Sequence, residues 1–149
     1  MIPNSQTKST HRLARFVTKE TAALVFNLKP EQIYRVECWR NVVYVHAKGV
    51  SKFVSYADFP PTLGVELPTG ADFVYWRKRW KKTQNPGEKK QAPQLWAQFF
   101  AHQFQQAASV SELYRWGELV GVVKSVFTQA TLQELRESYQ QEKWAWENF

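Results

Sequence analysis

Three short runs of strand-forming residues, separated by two tight breaks, constrain the fold of this chain more than any other feature. The runs are "QIYRVECW", "NVVYVHA" and "KFVSYA", with breaks around "RN" and "KGVS". Branched and aromatic side chains pack well on a pleated surface, and breaks this short join neighbouring strands in antiparallel order. The pattern predicts a three-stranded antiparallel meander with one face packed on helices. Alternation along the first strand places Tyr34, Val36 and Cys38 on one face.

A short helix is predicted before the sheet, over about residues 18–28. Thr18 is a suitable N-cap for it, and Pro30 lies just beyond its end. After the sheet, the Pro-rich and Gly-rich segment 58–70 cannot continue a regular element. In "ADFVYWRKRWKK", Phe73, Trp76 and Trp80 then recur at the spacing of one helical face.

Residues beyond Pro93 have the apolar spacing of three consecutive amphipathic helices. Ser109 or Ser111 is a candidate cap for the second of these helices. Thr131 and Glu134 have capping-box spacing within the third. The apolar positions predicted to pack are Trp96, Phe100, Phe104, Leu113, Trp116, Val120, Val123, Phe127, Leu132, Leu135, Tyr139 and Trp146.

These elements together predict an α+β fold: an N-terminal helix, a three-stranded antiparallel meander, a basic aromatic helix and three C-terminal amphipathic helices. A chain of 149 residues is long enough for one domain with a sizeable core. We therefore expect a mobile basic arm over 1–15 and a single domain over 16–149. An exposed linker is expected near 83–93, where Pro and Gly interrupt the chain.

The positive charge is concentrated in the first part of the chain. The formal net charge is +7, and residues 1–92 hold 16 Lys and Arg against 7 Asp and Glu. Residues 93–149 instead hold 4 Lys and Arg against 6 Asp and Glu. A regional excess of this kind is typical of a surface that meets a polyanion.

The basic aromatic segment "FVYWRKRWKKTQNPGEKK" is the strongest functional candidate in the sequence. Lys and Arg neutralise phosphates, and exposed aromatic rings stack on unpaired bases. This combination predicts a small non-enzymatic nucleic-acid-binding protein of low sequence specificity, acting on DNA or RNA. The predicted contact residues are Arg77, Lys78, Arg79, Lys81, Lys82, Lys89 and Lys90, with Trp76 and Trp80 for stacking and Arg12 and Arg15 from the arm.

Two other interpretations stay open at this point. Phe73, Trp76 and Trp80 also fit a hydrophobic core, with the charges forming only the solvated side of their helix. The chain also fits a protein-interaction or assembly module, whose basic patch meets an acidic protein. Its C-terminal aromatic residues Trp144, Trp146 and Phe149 would then form a partner or homodimer contact.

The sequence gives no sign of an enzyme, a metal site or a cofactor. His11, His46 and His102 are far apart with no ligand spacing, and Cys38 is the only cysteine. No apolar run reaches the roughly 20 residues that cross a bilayer, and the polar first residues lack the apolar core of a secretory signal. We therefore expect no membrane partner and a cytoplasmic location, or a nuclear one if the source is eukaryotic.

Overall fold

The computed structural model describes residues 11–83 and 91–149, with only the backbone at 82 and 83. The predicted α+β class is confirmed, with one antiparallel sheet preceding the long helices. The chain divides into two compact units, one ending at Pro60 and the other beginning at Pro61.

The N-terminal unit contains the sheet and the short helices around it. The predicted meander is confirmed, with strand order β1-β2-β3 and both pairs antiparallel. Its elements are a 3-10 helix at Arg12–Phe16, α1 at Lys19–Phe26, a 3-10 turn at Pro30–Gln32, β1 at Ile33–Cys38, β2 at Val43–Ala47, β3 at Val50–Val54 and a 3-10 turn at Tyr56–Asp58.

Helix α1 begins at the predicted cap. The Thr21 N–H donates to the Thr18 hydroxyl oxygen at 3.1 Å, and the Thr18 N–H donates to the Thr21 hydroxyl oxygen at 2.9 Å. These reciprocal bonds satisfy amide groups that a helix start leaves open. The helix ends at Phe26, earlier than expected, because Asn27 adopts a left-handed conformation with φ 57°.

The two faces of the sheet differ in burial. Val43 and Val45 are buried, and α1 contacts β1. The expected alternation in β1 is wrong at Tyr34, because the register shifts between Ile33 and Arg35 and leaves one extra residue there. This β-bulge turns the Tyr34 ring toward solvent, near His46, instead of placing it with Val36.

The C-terminal unit is helical, as predicted. Helices α3, α4 and α5 contact one another in pairs. The helices are α2 at Gly70–Thr83, α3 at Gln94–Gln106, α4 at Val110–Val122 and α5 at Gln129–Asn148, with a 3-10 turn at Lys124–Val126.

Most of the predicted apolar positions in these helices are buried. The exceptions are in α5, where Tyr139 is half-buried and Trp146 is exposed. Ser109 caps α4, one of the two residues predicted for that role. The predicted cap of α5 is wrong: the Thr128 hydroxyl oxygen accepts from the Thr131 N–H at 3.1 Å, because the helix begins at Gln129.

The expected arm and linker lie partly outside the described residues, which exclude 1–10 and 84–90. In the described part of the arm, Leu13 is buried, and the Leu13 N–H donates to His11 Nδ1 at 3.0 Å. At the end of the expected linker, the Ala92 N–H donates to the Val126 carbonyl at 2.8 Å. The described ends of both segments, 11–15 and 91–93, therefore include hydrogen bonds within the described chain.

Helix length and composition also bear on membrane insertion. Across 11–83 and 91–149, no helix combines the length and the apolar character that a membrane span needs.

Two glycines of α4 form a matched pair for a stability prediction. A Cβ on Gly117 would lie 2.5 Å from Tyr139 Cε1, whereas a Cβ on Gly121 meets no described atom within 4 Å. We expect Gly121→Ala to raise the free energy of unfolding by about 0.5–1 kcal/mol, because Ala favours a helix over Gly. Gly117→Ala has the same gain but displaces the Tyr139 ring, so it should be less stable than Gly121→Ala by about 1–3 kcal/mol. Urea unfolding of both variants tests this, and equal stabilities would contradict the close contact.

Candidate nucleic-acid interface

Helix α2 carries the basic aromatic segment, and its start is fixed by hydrogen bonds. The Thr69 N–H donates to the Asp72 carboxylate at 2.9 Å, and the Asp72 N–H donates to the Thr69 hydroxyl oxygen at 3.4 Å. Asp72 is fully buried and lies near the positive end of the helix dipole. It is also the only acidic residue in 70–83, so the rest of the helix carries positive charge alone.

Three tryptophans hold α2 in the C-terminal unit. The Trp96 ring of α3 makes edge contacts with Trp76 and Trp80, at centroid distances of 5.1 and 5.3 Å. All three rings are at most 1% exposed. Because Trp76 and Trp80 are four residues apart, both lie on the same side of α2. The orientation of the helix is thus set by apolar packing and not by its charges.

The cations lie away from this packed side. Arg77, Lys78 and Lys81 are exposed, and Arg79 is half-buried. The Arg77 guanidinium lies 5.4 Å from the Phe73 ring centroid, which keeps its stem against the helix. The structure therefore brings these four predicted contact residues together on one helix.

Other predicted contacts are not described. The backbone of Lys82 is helical, whereas Lys89 and Lys90 lie outside the described residues. Their contribution to phosphate binding stays a prediction.

The burial of Trp76 and Trp80 changes the role expected for them. Neither indole presents a face to solvent, so neither ring stacks on a base in this arrangement. The core interpretation of these two residues is the one that matches their burial. Their contribution to an interface is to fix the helix that carries the cations.

Sequence reasoning missed the exposed aromatic residue of this helix. Tyr75 is 47% exposed, and it precedes Lys78 and Arg79 by three and four residues, which places it beside them. The sequence contained the information needed to predict that Tyr75 is exposed. Once Trp76 and Trp80 are assigned to the inner face, the helical period places Tyr75 on the outer one.

Arg12 and Arg15 belong to the other compact unit, within the 3-10 helix Arg12–Phe16. The Arg15 Nη1 donates to the Arg12 carbonyl at 2.5 Å, and the guanidinium lies 4.2 Å from the Phe16 ring centroid. Local contacts therefore hold Arg15. The role of Arg12 and Arg15 in binding stays a prediction.

The C-terminal aromatic residues are exposed. Trp144 is 58% exposed and Phe149 is 94% exposed, and their rings meet edge to face at 5.6 Å. Trp146 is also exposed. These rings lie beyond Leu132 and Leu135, the buried residues of α5.

A groove of about 540 Å³ lies among α3, α4 and α5. Its lining includes Lys124 and Arg136 but also Glu118, together with apolar side chains. With both charge signs present, the groove favours neither an anionic nor a cationic ligand.

The histidines and the cysteine have separate surroundings. His11 stacks on Tyr56 at 3.9 Å, His46 forms a hydrogen bond with the Ser51 hydroxyl at 2.5 Å, and His102 is exposed on α3. Burial raises the pKa of the Cys38 thiol, and a hydrogen bond with Tyr56 lowers it by less. In the described ranges, no group of three or more His, Cys, Asp or Glu is placed to hold a metal ion.

No protein-family model, curated protein sequence or solved structure matches this chain.

Proposed function

We propose that this protein binds nucleic acid without catalysing a reaction, and that it contacts phosphates through the exposed side of α2. One observation carries the proposal: buried Trp76 and Trp80 fix the helix so that Arg77, Lys78 and Lys81 face solvent. The only acidic side chain of the helix is buried at its start, so it does not oppose this surface.

The chemistry of such a surface favours affinity over sequence specificity. Each Lys or Arg that neutralises a phosphate releases condensed counterions, and this gain does not depend on the base. Phosphate contacts position a protein on its nucleic acid, whereas contacts with base edges specify a sequence. We therefore propose a binder with low sequence preference.

Part of the positive charge also has a structural effect. Lys81 lies in the last turn of α2, where a cation stabilises a helix by about 0.3–1 kcal/mol. One or two cations near the C-terminal end of the helix are enough for this stabilisation. It does not explain Arg77 and Lys78, which lie further from the end of the helix.

The test is binding of short labelled oligonucleotides, single-stranded and duplex, followed by fluorescence anisotropy. We expect binding at low salt, with affinities that differ by less than about ten-fold between unrelated sequences, because phosphate contacts dominate. An absence of binding to either form at low salt would eliminate the proposal.

A second candidate is self-association through the exposed rings Trp144, Trp146 and Phe149. Trp is among the residues that contribute most to protein interfaces, and exposed aromatic clusters are uncommon on monomers. Under this candidate the basic side of α2 meets an acidic protein instead of nucleic acid.

Sedimentation velocity over a concentration series tests this candidate. We expect a dimer that dissociates when Trp144 and Trp146 are both changed to Ala, because this removes the two largest exposed rings of α5. A wild-type protein that stays monomeric at the highest concentration would exclude self-association.

A further inference from the structure

The solvent-facing side of the sheet carries a cluster of aromatic rings that the proposed function does not use. Tyr44 of β2 pairs directly with Phe53 of β3, and their ring centroids are 5.3 Å apart. Trp39 follows β1 and completes the cluster, at 4.7 Å from the Phe53 ring and 6.2 Å from the Tyr44 ring. We define these three residues as the sheet cluster.

The sheet cluster is accessible. Phe53 is 49% exposed, and Trp39 and Tyr44 are half-buried only. At the other end of the same face, the bulge residue Tyr34 is 55% exposed and lies 5.5 Å from His46. Polar residues satisfy the solvent side of an antiparallel sheet, so folding alone does not require several large rings here.

The polar groups around the cluster hold its rings in place. The Glu37 carboxylate accepts a hydrogen bond from the Trp39 indole N–H at 3.0 Å and lies 2.6 Å from the Arg35 Nε. The Arg35 guanidinium is also 5.8 Å from the Tyr44 ring centroid. The Glu37 carboxylate beside these rings is therefore paired with a cation, and its hydrogen bond fixes the orientation of Trp39 before any ligand arrives.

We propose that the sheet cluster is a stacking platform for unpaired bases of a single-stranded nucleic acid. Every base has an aromatic face, and stacking on protein rings is tolerant of sequence. The exposed Arg40, next to Trp39, would take a phosphate beside the stacked bases, whereas Arg35 is held by Glu37. A duplex hides its base faces in its own stack, so it would gain nothing from the platform.

The charge of this unit favours an anionic occupant such as nucleic acid. Residues 11–60 hold eight Lys and Arg against four Asp and Glu, so the unit that carries the cluster is positively charged. The inference rests on the proposed function in taking nucleic acid as the partner. It concerns a different surface, and it adds a preference for single strands that phosphate contacts on α2 do not supply.

The test compares single-stranded and duplex binding in sheet variants. We expect the double variant Tyr44→Thr, Phe53→Thr to lose at least about ten-fold in affinity for single strands and less than about two-fold for duplex. Thr preserves strand propensity, and circular dichroism confirms the fold. The control is Tyr114→Ala, which removes an exposed ring from the other unit and should leave single-strand affinity unchanged.

Two further variants at Phe53 distinguish aromatic stacking on a base from a contact that is only apolar. Phe53→Ile keeps a large apolar side chain that suits a strand but removes the aromatic face, whereas Phe53→Trp keeps that face. We expect Phe53→Ile to weaken the binding of single strands several-fold and Phe53→Trp to preserve it. Equal affinities for the two variants would overturn the platform and indicate an apolar docking surface.

The failures of the two proposals are distinguishable. If α2 variants weaken binding and sheet variants do not, the platform is wrong and the phosphate surface stands. If sheet variants weaken single-strand binding and α2 variants do not, the platform stands and the role of α2 is wrong. Absence of binding to any oligonucleotide eliminates both.

Discussion

Changing Trp96 to Ala is expected to lower the free energy of unfolding by about 3–5 kcal/mol, because it deletes the ring on which two other tryptophans pack. Each edge-to-face pair contributes about 0.5–1.5 kcal/mol beyond the apolar area it buries, and Trp96 makes two such pairs. A loss of this size is a large fraction of the stability of an ordinary domain. Urea unfolding followed by circular dichroism measures it.

The matched control is Trp144→Ala, which removes the same side chain from an exposed position. We expect it to change the free energy of unfolding by less than about 0.5 kcal/mol. Similar losses in the two variants would mean that Trp96 is not the centre of the packing that holds α2.

Replacing Arg77, Lys78 and Lys81 together by Gln is expected to weaken nucleic-acid binding by about 100-fold at about 0.1 M salt, because three phosphate contacts are lost. The fold should be unaffected, since all three side chains are exposed. Anisotropy titrations with the oligonucleotides described above measure the affinities.

The control removes the same number and types of charge elsewhere. The control variant replaces three other exposed cations by Gln: Lys19, Lys29 and Arg136. It therefore lowers the net charge by the same amount as the α2 variant. We expect a loss of less than about ten-fold, due only to the weaker overall field. Equal losses in both triple variants would assign binding to net charge and remove α2 as its site.

The elements of the fold followed from local patterns. The strand runs, the Thr18 and Ser109 caps and the helical spacing of Trp96, Phe100 and Phe104 each depend on residues close in sequence, and the structure matches them. Strand runs, caps and helical spacing can be predicted from the sequence because each has its own local physical cause.

The structure differs from the sequence predictions where a residue's position depends on residues that are far away in the chain. The bulge at Tyr34 depends on the register with β2, which the sequence of β1 alone does not contain. The burial of Trp76 and Trp80 depends on Trp96, which lies 20 and 16 residues further along the chain. Alternation also did not reveal that Trp39, beyond the end of β1, joins Tyr44 and Phe53.

The sequence predicted the charged residues of the candidate site but not its exposed aromatic residue, because burial depends on contacts with distant residues. The charged residues of α2 were recognisable as a run, and their exposure follows from the helical period. The aromatic half of the site was placed on Trp76 and Trp80, because composition does not tell an inner ring from an outer one. The exposed aromatic residue of α2 is Tyr75 instead.

The salt dependence of binding tests the central claim most directly. The slope of log affinity against log salt counts the phosphates that a protein neutralises, at about 0.9 per contact for duplex DNA and about 0.7 for single strands. We expect the slope of the Arg77, Lys78, Lys81 variant to be shallower than that of the wild type by about 2–3, with little change in the Lys19, Lys29, Arg136 control. An unchanged slope in the α2 variant would contradict phosphate binding by this helix.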